Sequence, residues 1–527
     1  MAPSASETRR LTKSELSNTL GDLLGATAHA TLAALLTQLP DDDISAGIAR
    51  FDNRYSALHT KALTDIAYTA ASQATLTDAV TNALLAAHGA GCNVSNITLA
   101  CARTFISNFG LRAWRRPLTA AELTWLESAY GTGSNARDRI AVVVATLVGA
   151  PDFLYHVELG TPTAGSPTDF ALTQYEVANR LSYGILGTMP TVALQAQAAR
   201  GELSNPSIVQ STIGTMLDDP RARTKVREFF AFWLGTDNLP GIPANPNFLA
   251  GLDTAGLRAE MKRELEEYIE QMVWIRGADY RELMTSPVSY ARTPALASIH
   301  GHGLAGNPAA GTQQMGGGRK GLLMRGPFLI STDDYTHPIV RGVRMRTRLL
   351  CDILGSPSPD AFAAQTMIQS PNFVKQFSNR ERVTQSTSDP SCMACHRSIN
   401  PLGFAFEGLD SAGRFRTMEL NFDGTNQLIA QHAINNVVTD LAIDYATGES
   451  SNSASQLIDT IAQSNKGSMC MARQLHRYYQ MRAESVRADA CALVDTKTAL
   501  AESGGSVRRG IQTAIGNRFL NRKVVAP

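Results

Sequence analysis

The sequence predicts a mainly α fold, in which a multi-domain helical N-terminal region is followed by a second helical region with irregular loops. Three observations carry this expectation. At 527 residues the chain exceeds what one compact core accommodates, so several units must pack together. A helix-start signal recurs as a Leu-Thr-x-x-Glu-apolar string, and the alternation expected of strands is sparse.

The helix-start string occurs at Leu11-Thr12 to Glu15-Leu16, at Leu118-Thr119 to Glu122-Leu123 and at Leu172-Thr173 to Glu176-Val177. In each, the Thr hydroxyl can accept the amide three residues on while the Glu carboxylate reaches back to the Thr amide, and the flanking apolar pair sets the chain direction. After Thr12, residues Leu16, Leu20, Leu23 and Leu24 share one helical face, and Gly25 stands where a C-cap belongs. The same period runs through Ile140 to Val148, Tyr175 to Leu186, Val226 to Leu234 and Leu257 to Ile275. Breaks are expected before Cys92, from Gly160 to Pro167, and in the Pro/Asn-rich run from Leu239 to Leu249. Gly301 to Gly318 reads as a loop or linker, Gly355 to Asp389 as irregular chain, and Ser455 to Phe519 as helical again. These breaks divide the chain into segments 1–90, 91–160, 165–300, 301–430 and 431–527, the last packing on the fourth.

Composition is that of an ordinary globular protein, with 44% hydrophobic and 18% charged residues and a formal net charge of +1. No apolar run is long enough to cross a bilayer, and the charge balance offers no footprint for nucleic acid. The start, Met1-Ala-Pro-Ser-Ala-Ser-Glu-Thr, lacks a basic stretch followed by an apolar one, so it does not read as a secretory leader. Of seven cysteines, Cys92 and Cys101 lie close together and Cys470 and Cys491 flank a helical stretch. Two local disulfides are therefore expected in an oxidising compartment, with Cys351 left over and free thiols as the alternative.

The chemistry is carried by Cys392-Met393-Ala394-Cys395-His396, a C-x-x-C-H string and the attachment signature of one covalent haem c. On one turn of chain two sulfurs reach the two vinyl groups of the porphyrin, and the adjacent imidazole of His396 becomes the first axial iron ligand. A zinc site would need two further ligands at matching spacing, and no second C-x-x-C or H-x-x-H is present. A thioredoxin-like pair would want a strand before it, where Asp389-Pro390-Ser391 stands, and an unbroken helix after it, where Asn400-Pro401 stands. Haem attachment of this kind requires export, so Met1 is expected to replace a removed leader, and the location to be periplasmic, extracellular or at the cell surface.

Around the motif, the Pro401 carbonyl is the expected acceptor for the Nδ1 proton of His396, and Leu402, Phe404 and Phe406 are expected to shield a porphyrin face, a plain core under a loop being the alternative. Arg341, Arg344, Arg346 and Arg348, with Arg414 and Arg416 downstream, are candidates for the haem propionates, since a guanidinium pairs with a carboxylate in a two-pronged way. A solvated basic helix face is the more common explanation of any one of them. The second axial position decides between a closed electron-transferring site and an open one; His337, Met345, Met418 and Met469 are the candidates, undistinguished by spacing. Gly301-His302-Gly303-Leu304-Ala305-Gly306 matches a dinucleotide-binding string, but no strand pattern precedes it, and Gly316-Gly317-Gly318-Arg319-Lys320-Gly321 lacks P-loop spacing.

With these residues in view, the chain resembles the large monohaem c-type cytochrome-like proteins of planctomycetes and myxobacteria, built from consecutive domains of unknown function. The likeness rests on Arg9 to Thr12 with Leu23 to Gly25, on Arg112-Ala113-Trp114-Arg115-Arg116-Pro117-Leu118-Thr119, and on Tyr175 to Tyr183. It continues through Lys320 to Leu323, Arg341-Gly342, Leu349-Leu350-Cys351, Cys392 to Glu407 and Asp410 to Arg416. The resemblance implies export and haem c, with segment 301–430 as the cytochrome c-like haem domain. It also implies a His shortly before the motif, where this chain has Ser386, and an Asp where it has Asn400. His337 stands where the family more often has Ser and becomes the leading substitute ligand. The expected role is electron transfer, or service as the haem module of an oxidoreductase, with a redox partner protein or a small-molecule electron donor or acceptor. The alternatives are a peroxidase- or oxygenase-like enzyme with an open distal site, and a surface binding or assembly protein with structural haem.

Overall fold

The computed structural model describes residues 9–42, 56–166, 168–304, 313–355, 370–444, 449–518 and 520–524. The middle of the expected 301–318 linker, most of 355–369, Pro167 and Phe519 lie outside the described residues. The expectation of a mainly α chain is borne out: helices dominate and strands are short. The chain forms two compact units, one of residues 1–225, 476–492 and 512–527, the other of 226–475 and 493–511.

In the first unit the described helices include α1 (Lys13–Leu24), α2 (Ala57–Ala74), α3 (Leu99–Ala113), α4 (Ala120–Gly131), α5 (Ala136–Gly149) and α6 (Gln174–Leu186). All three helix-start strings form the expected reciprocal cap, with Thr12, Thr119 and Thr173 accepting from the amides of Glu15, Glu122 and Glu176 and each Glu returning to the Thr amide. Gly25 ends α1 with φ +84 and passes directly into another helix. The apolar stripe of α1, through Leu16, Leu20 and Leu23, joins Phe105, Phe109, Val143 and Leu147 in one core. Strands Thr161–Pro162, Asp169–Ala171 and Arg522–Val524 make a small antiparallel sheet.

In the second unit α7 (Leu257–Glu270) runs into a π turn through Ile275, over the span the apolar period marks. Its Glu264 pairs with Arg325, both fully buried, and the Arg325 guanidinium lies 3.6 Å from the Tyr268 ring centroid. Further along come α8 (Pro294–Ile299), α9 (Pro338–Arg344), α10 (Asn379–Ser386) and α11 (Pro390–Phe404). The stretch before the cysteine motif was expected to be irregular, yet its described part forms a helix at Pro371–Gln376 and then α10, which starts with a Ser378–Glu381 capping box.

Two glycines let α9 and α11 approach backbone to backbone. A Cβ on Gly342 would collide with the Ile399 carbonyl oxygen, and one on Gly403 with that of Pro338. Gly342→Ala and Gly403→Ala are therefore each expected to destabilise the second unit by about 1–3 kcal/mol. Urea denaturation of the single variants checks this; unchanged midpoints would contradict the close approach.

Disulfides join Cys92 to Cys101 and Cys351 to Cys470. The first is the expected pair. The second corrects the expected Cys470–Cys491 bond: Cys351, the residue set aside as unpaired, follows the π turn Met345–Leu349 in a left-handed conformation and meets Cys470 from 119 residues away, while Cys491 is a free thiol.

Candidate functional site

Helix α11 places the motif. Asp389 caps it by accepting the Ser391 amide at 2.8 Å, and Pro390 takes the first helical position, where no amide proton is needed. Cys392, Cys395 and His396 follow at spacings of three and four residues from Cys392, which brings them to one face. Both cysteines are free thiols, and all three side chains are half-buried. Met393, Ala394 and Arg397 are exposed, while Ile399, Asn400, Leu402, Gly403 and Phe404 are buried. The helix is thus anchored by its C-terminal half and presents its N-terminal half.

A chain of hydrogen bonds fixes the His396 ring. The Thr387 hydroxyl donates to the Val383 carbonyl at 2.8 Å, so its oxygen is available to accept from Asn400 Nδ2 at 3.0 Å. That turns Asn400 Oδ1 toward His396 Nδ1, at 2.9 Å. An amide oxygen only accepts, so Nδ1 carries the proton and Nε2 presents a lone pair. Among the described residues no hydrogen bond occupies Nε2.

The acceptor is therefore Asn400 and not Pro401. Because α11 continues through Pro401, the Pro401 carbonyl points along the helix and accepts the Ala405 amide at 3.1 Å. Asn400 lies one turn beyond His396 on the same face, and that spacing was the signal available in the sequence.

The remaining candidates are scattered. Leu402, Phe404 and Phe406 are buried in the protein, Phe404 beneath the Arg380 guanidinium at 5.0 Å and Phe406 beside Phe328. Arg341 gives its guanidinium to the carbonyls of Phe406, Leu409, Leu329 and Asp410. Arg346 holds the carbonyls of Ser398, Leu441 and Ala442, and Arg348 that of Phe232. Arg414 pairs with Asp410 at 2.8 Å and Arg416 with Glu407 at 3.2 Å. In this group only Arg344, half-buried, has no hydrogen bond or ion pair among the described residues. Burial, with Arg348 nearby, pushes its guanidinium below the ordinary arginine range.

His337 stands at the N-cap of α9, its Nε2 3.0 Å from both Asp333 carboxylate oxygens. The carbonyl of the next residue, Pro338, abuts Gly403, two turns along α11 from His396. Met345 is fully buried and Met418 exposed. Among the described residues no cluster of three or more His, Cys, Asp or Glu has metal-site geometry, and no helix is long and apolar enough to cross a membrane.

Four family profiles match in series: PSD3, protein of unknown function DUF1587, at residues 9–81; PSD5, DUF1595, at 101–158; PSD4, DUF1592, at 172–301; and PSCyt3, DUF1588, at 319–419. Together they cover well over half the chain. The chain thus carries four domains of unknown function in series. The motif helix falls inside the DUF1588 segment, as do α9 and the Cys351 end of the long disulfide. No curated protein matches the chain, and no solved structure does.

Proposed function

We propose that this protein belongs to the planctomycete cytochrome c-like family and is an exported c-type cytochrome that carries one haem on Cys392 and Cys395, with His396 as axial ligand, and moves single electrons. The observation that carries the reading is the combination on one helical face of two free thiols and an imidazole whose Nε2 lone pair is exposed by the Thr387–Asn400–His396 hydrogen-bond chain. The donor set fits the group: two thiols for thioether bonds and one oriented nitrogen for iron. When bound, haem would supply one-electron redox chemistry. The protein's own part is to hold the imidazole in one tautomer, anchor the attachment helix through Gly342 and Gly403, and offer a propionate Arg344, which has no ion-pair partner among the described residues. Two disulfides support an oxidising location outside the cytoplasm.

Reduced and oxidised optical spectra of the purified holoprotein with a carbon monoxide titration test the role. Haem unreactive toward carbon monoxide is the expected result for electron transfer; avid binding would favour a catalytic open site instead. Asn400→Ala is expected to leave the thioether bonds intact and to raise the reduction potential, because an imidazole that loses its hydrogen-bond acceptor donates less electron density to iron. A redox titration that finds the potential unchanged would contradict the role given to Asn400.

A further inference from the structure

Asn400 keeps its side chain against His396 only while α11 stays helical, and the residue after Asn400 is a proline. A proline ring crowds the residue before it out of the helical conformation. Pro401 also carries no N–H for the carbonyl of Arg397, four residues back, and its ring presses on that carbonyl. By local preference α11 would end before Asn400, yet it runs on to Phe404. Contacts from outside the helix therefore hold it, and packing of α9 at Gly342 and Gly403 is one of them.

Arg346 supplies a directed bond at the same place. Its Nε donates to the Ser398 carbonyl at 2.8 Å, between His396 and Asn400 in the chain. Among the described residues no other side chain bonds the backbone of α11 from His396 to Phe404. The rest of the guanidinium is committed as well: Nη1 donates to the Ala442 carbonyl at 2.9 Å and to Asp352 Oδ2 at 3.3 Å, and Nη2 to the Leu441 carbonyl. The side chain is 2% exposed.

The backbone that surrounds this guanidinium departs from ordinary geometry at several points. Arg346 itself lies in the π turn Met345–Leu349. Cys351, Asp440 and Ala442, none of them glycine, take left-handed conformations at φ +53, +57 and +49. After Cys351, the Asp352 amide returns to the Arg346 carbonyl at 2.8 Å while the Asp352 carboxylate meets the guanidinium. The turn through Asp440 and Ala442 presents the other two carbonyls. Such conformations persist where surrounding contacts enforce them, and they gather at functional sites. Here they converge on one side chain that bonds the carbonyl two residues after His396.

We propose that Arg346 is a positioning residue for His396, which on the haem reading above is the iron ligand. It holds α11 helical across Pro401, so that Asn400 Oδ1 stays against His396 Nδ1 and Nε2 keeps its lone pair for iron. Arg346 bonds the backbone beside the ligand and acts through Asn400. A lysine cannot take its place, because one ammonium on a flexible stem does not span carbonyls from two segments as a planar fork does.

The test uses full-length Arg346→Lys, which keeps the charge, and Arg346→Gln, which keeps an amide donor, each with and without Pro401→Ala. Before haem is added, nitrogen NMR of histidine-labelled protein reads the tautomer, with His396→Gln identifying the signal. Wild type is expected to be protonated at His396 Nδ1, and in either arginine variant the ratio of Nδ1–H to Nε2–H falls about fivefold, the loss of one hydrogen bond. Adding Pro401→Ala restores the wild-type ratio, because a helix without the proline no longer needs the hold. In the holoprotein the reduction potential of Arg346→Lys rises as in Asn400→Ala, and combining the two adds nothing further. A folded variant with an unchanged tautomer ratio, or one that Pro401→Ala fails to restore, overturns the proposal. Loss of fold in both variants, unrelieved by Pro401→Ala, overturns it in favour of an arginine that only stabilises. The nitrogen signal decides this whether or not haem attaches, so failure of the haem reading is seen separately.

Discussion

Replacing both Cys392 and Cys395 by Ala is expected to abolish covalent haem attachment completely, while each single replacement leaves one thioether bond and a shifted optical spectrum. The two sulfurs are neither bonded to one another nor buried, and they occupy the first turns of a helix whose other end is fixed in the protein. Their loss removes no core contact, so the polypeptide is expected to fold with nearly unchanged stability before haem is added. Intact-protein mass and a denaturing gel stained for haem read the outcome. Haem retained through denaturation in the double variant would show that attachment lies elsewhere.

Replacing Cys351 and Cys470 together by Ser is expected to destabilise the second unit by about 5 kcal/mol. The bond closes a loop of 119 residues, and constraining so long a segment removes more entropy from the unfolded chain than a short link does. The Cys92–Cys101 bond spans nine residues, and its removal is expected to cost about 3 kcal/mol or less. Urea denaturation of the two double variants, with thiol-reduced wild type as reference, measures both. A smaller loss for the long bond than for the short one would contradict the loop-length argument.

How much of this was legible in the sequence depended on the range of the interaction. The capping boxes at Thr12, Thr119 and Thr173 are local, with donor and acceptor three residues apart, and they form as read. The five-residue cysteine motif is equally local. The acceptor for His396 was misassigned because Pro401 argues against a continuing helix, and only a continuing helix brings Asn400 beneath the ring. The Cys351–Cys470 bond depends on the path of more than a hundred intervening residues, which no local pattern encodes. The arginines were legible as a cluster but not in their use: a guanidinium has five donors, and Arg341 and Arg346 spend theirs on backbone carbonyls of the loops they hold.

The most direct test of the central claim is the intact mass of the protein after export from a host that supplies the haem c maturation machinery, followed by peptide mapping. The account predicts a mass increase of one haem, carried on the peptide containing Cys392 and Cys395. A mass equal to polypeptide alone, with those two residues recovered as thiols, as a disulfide or on zinc, would contradict it.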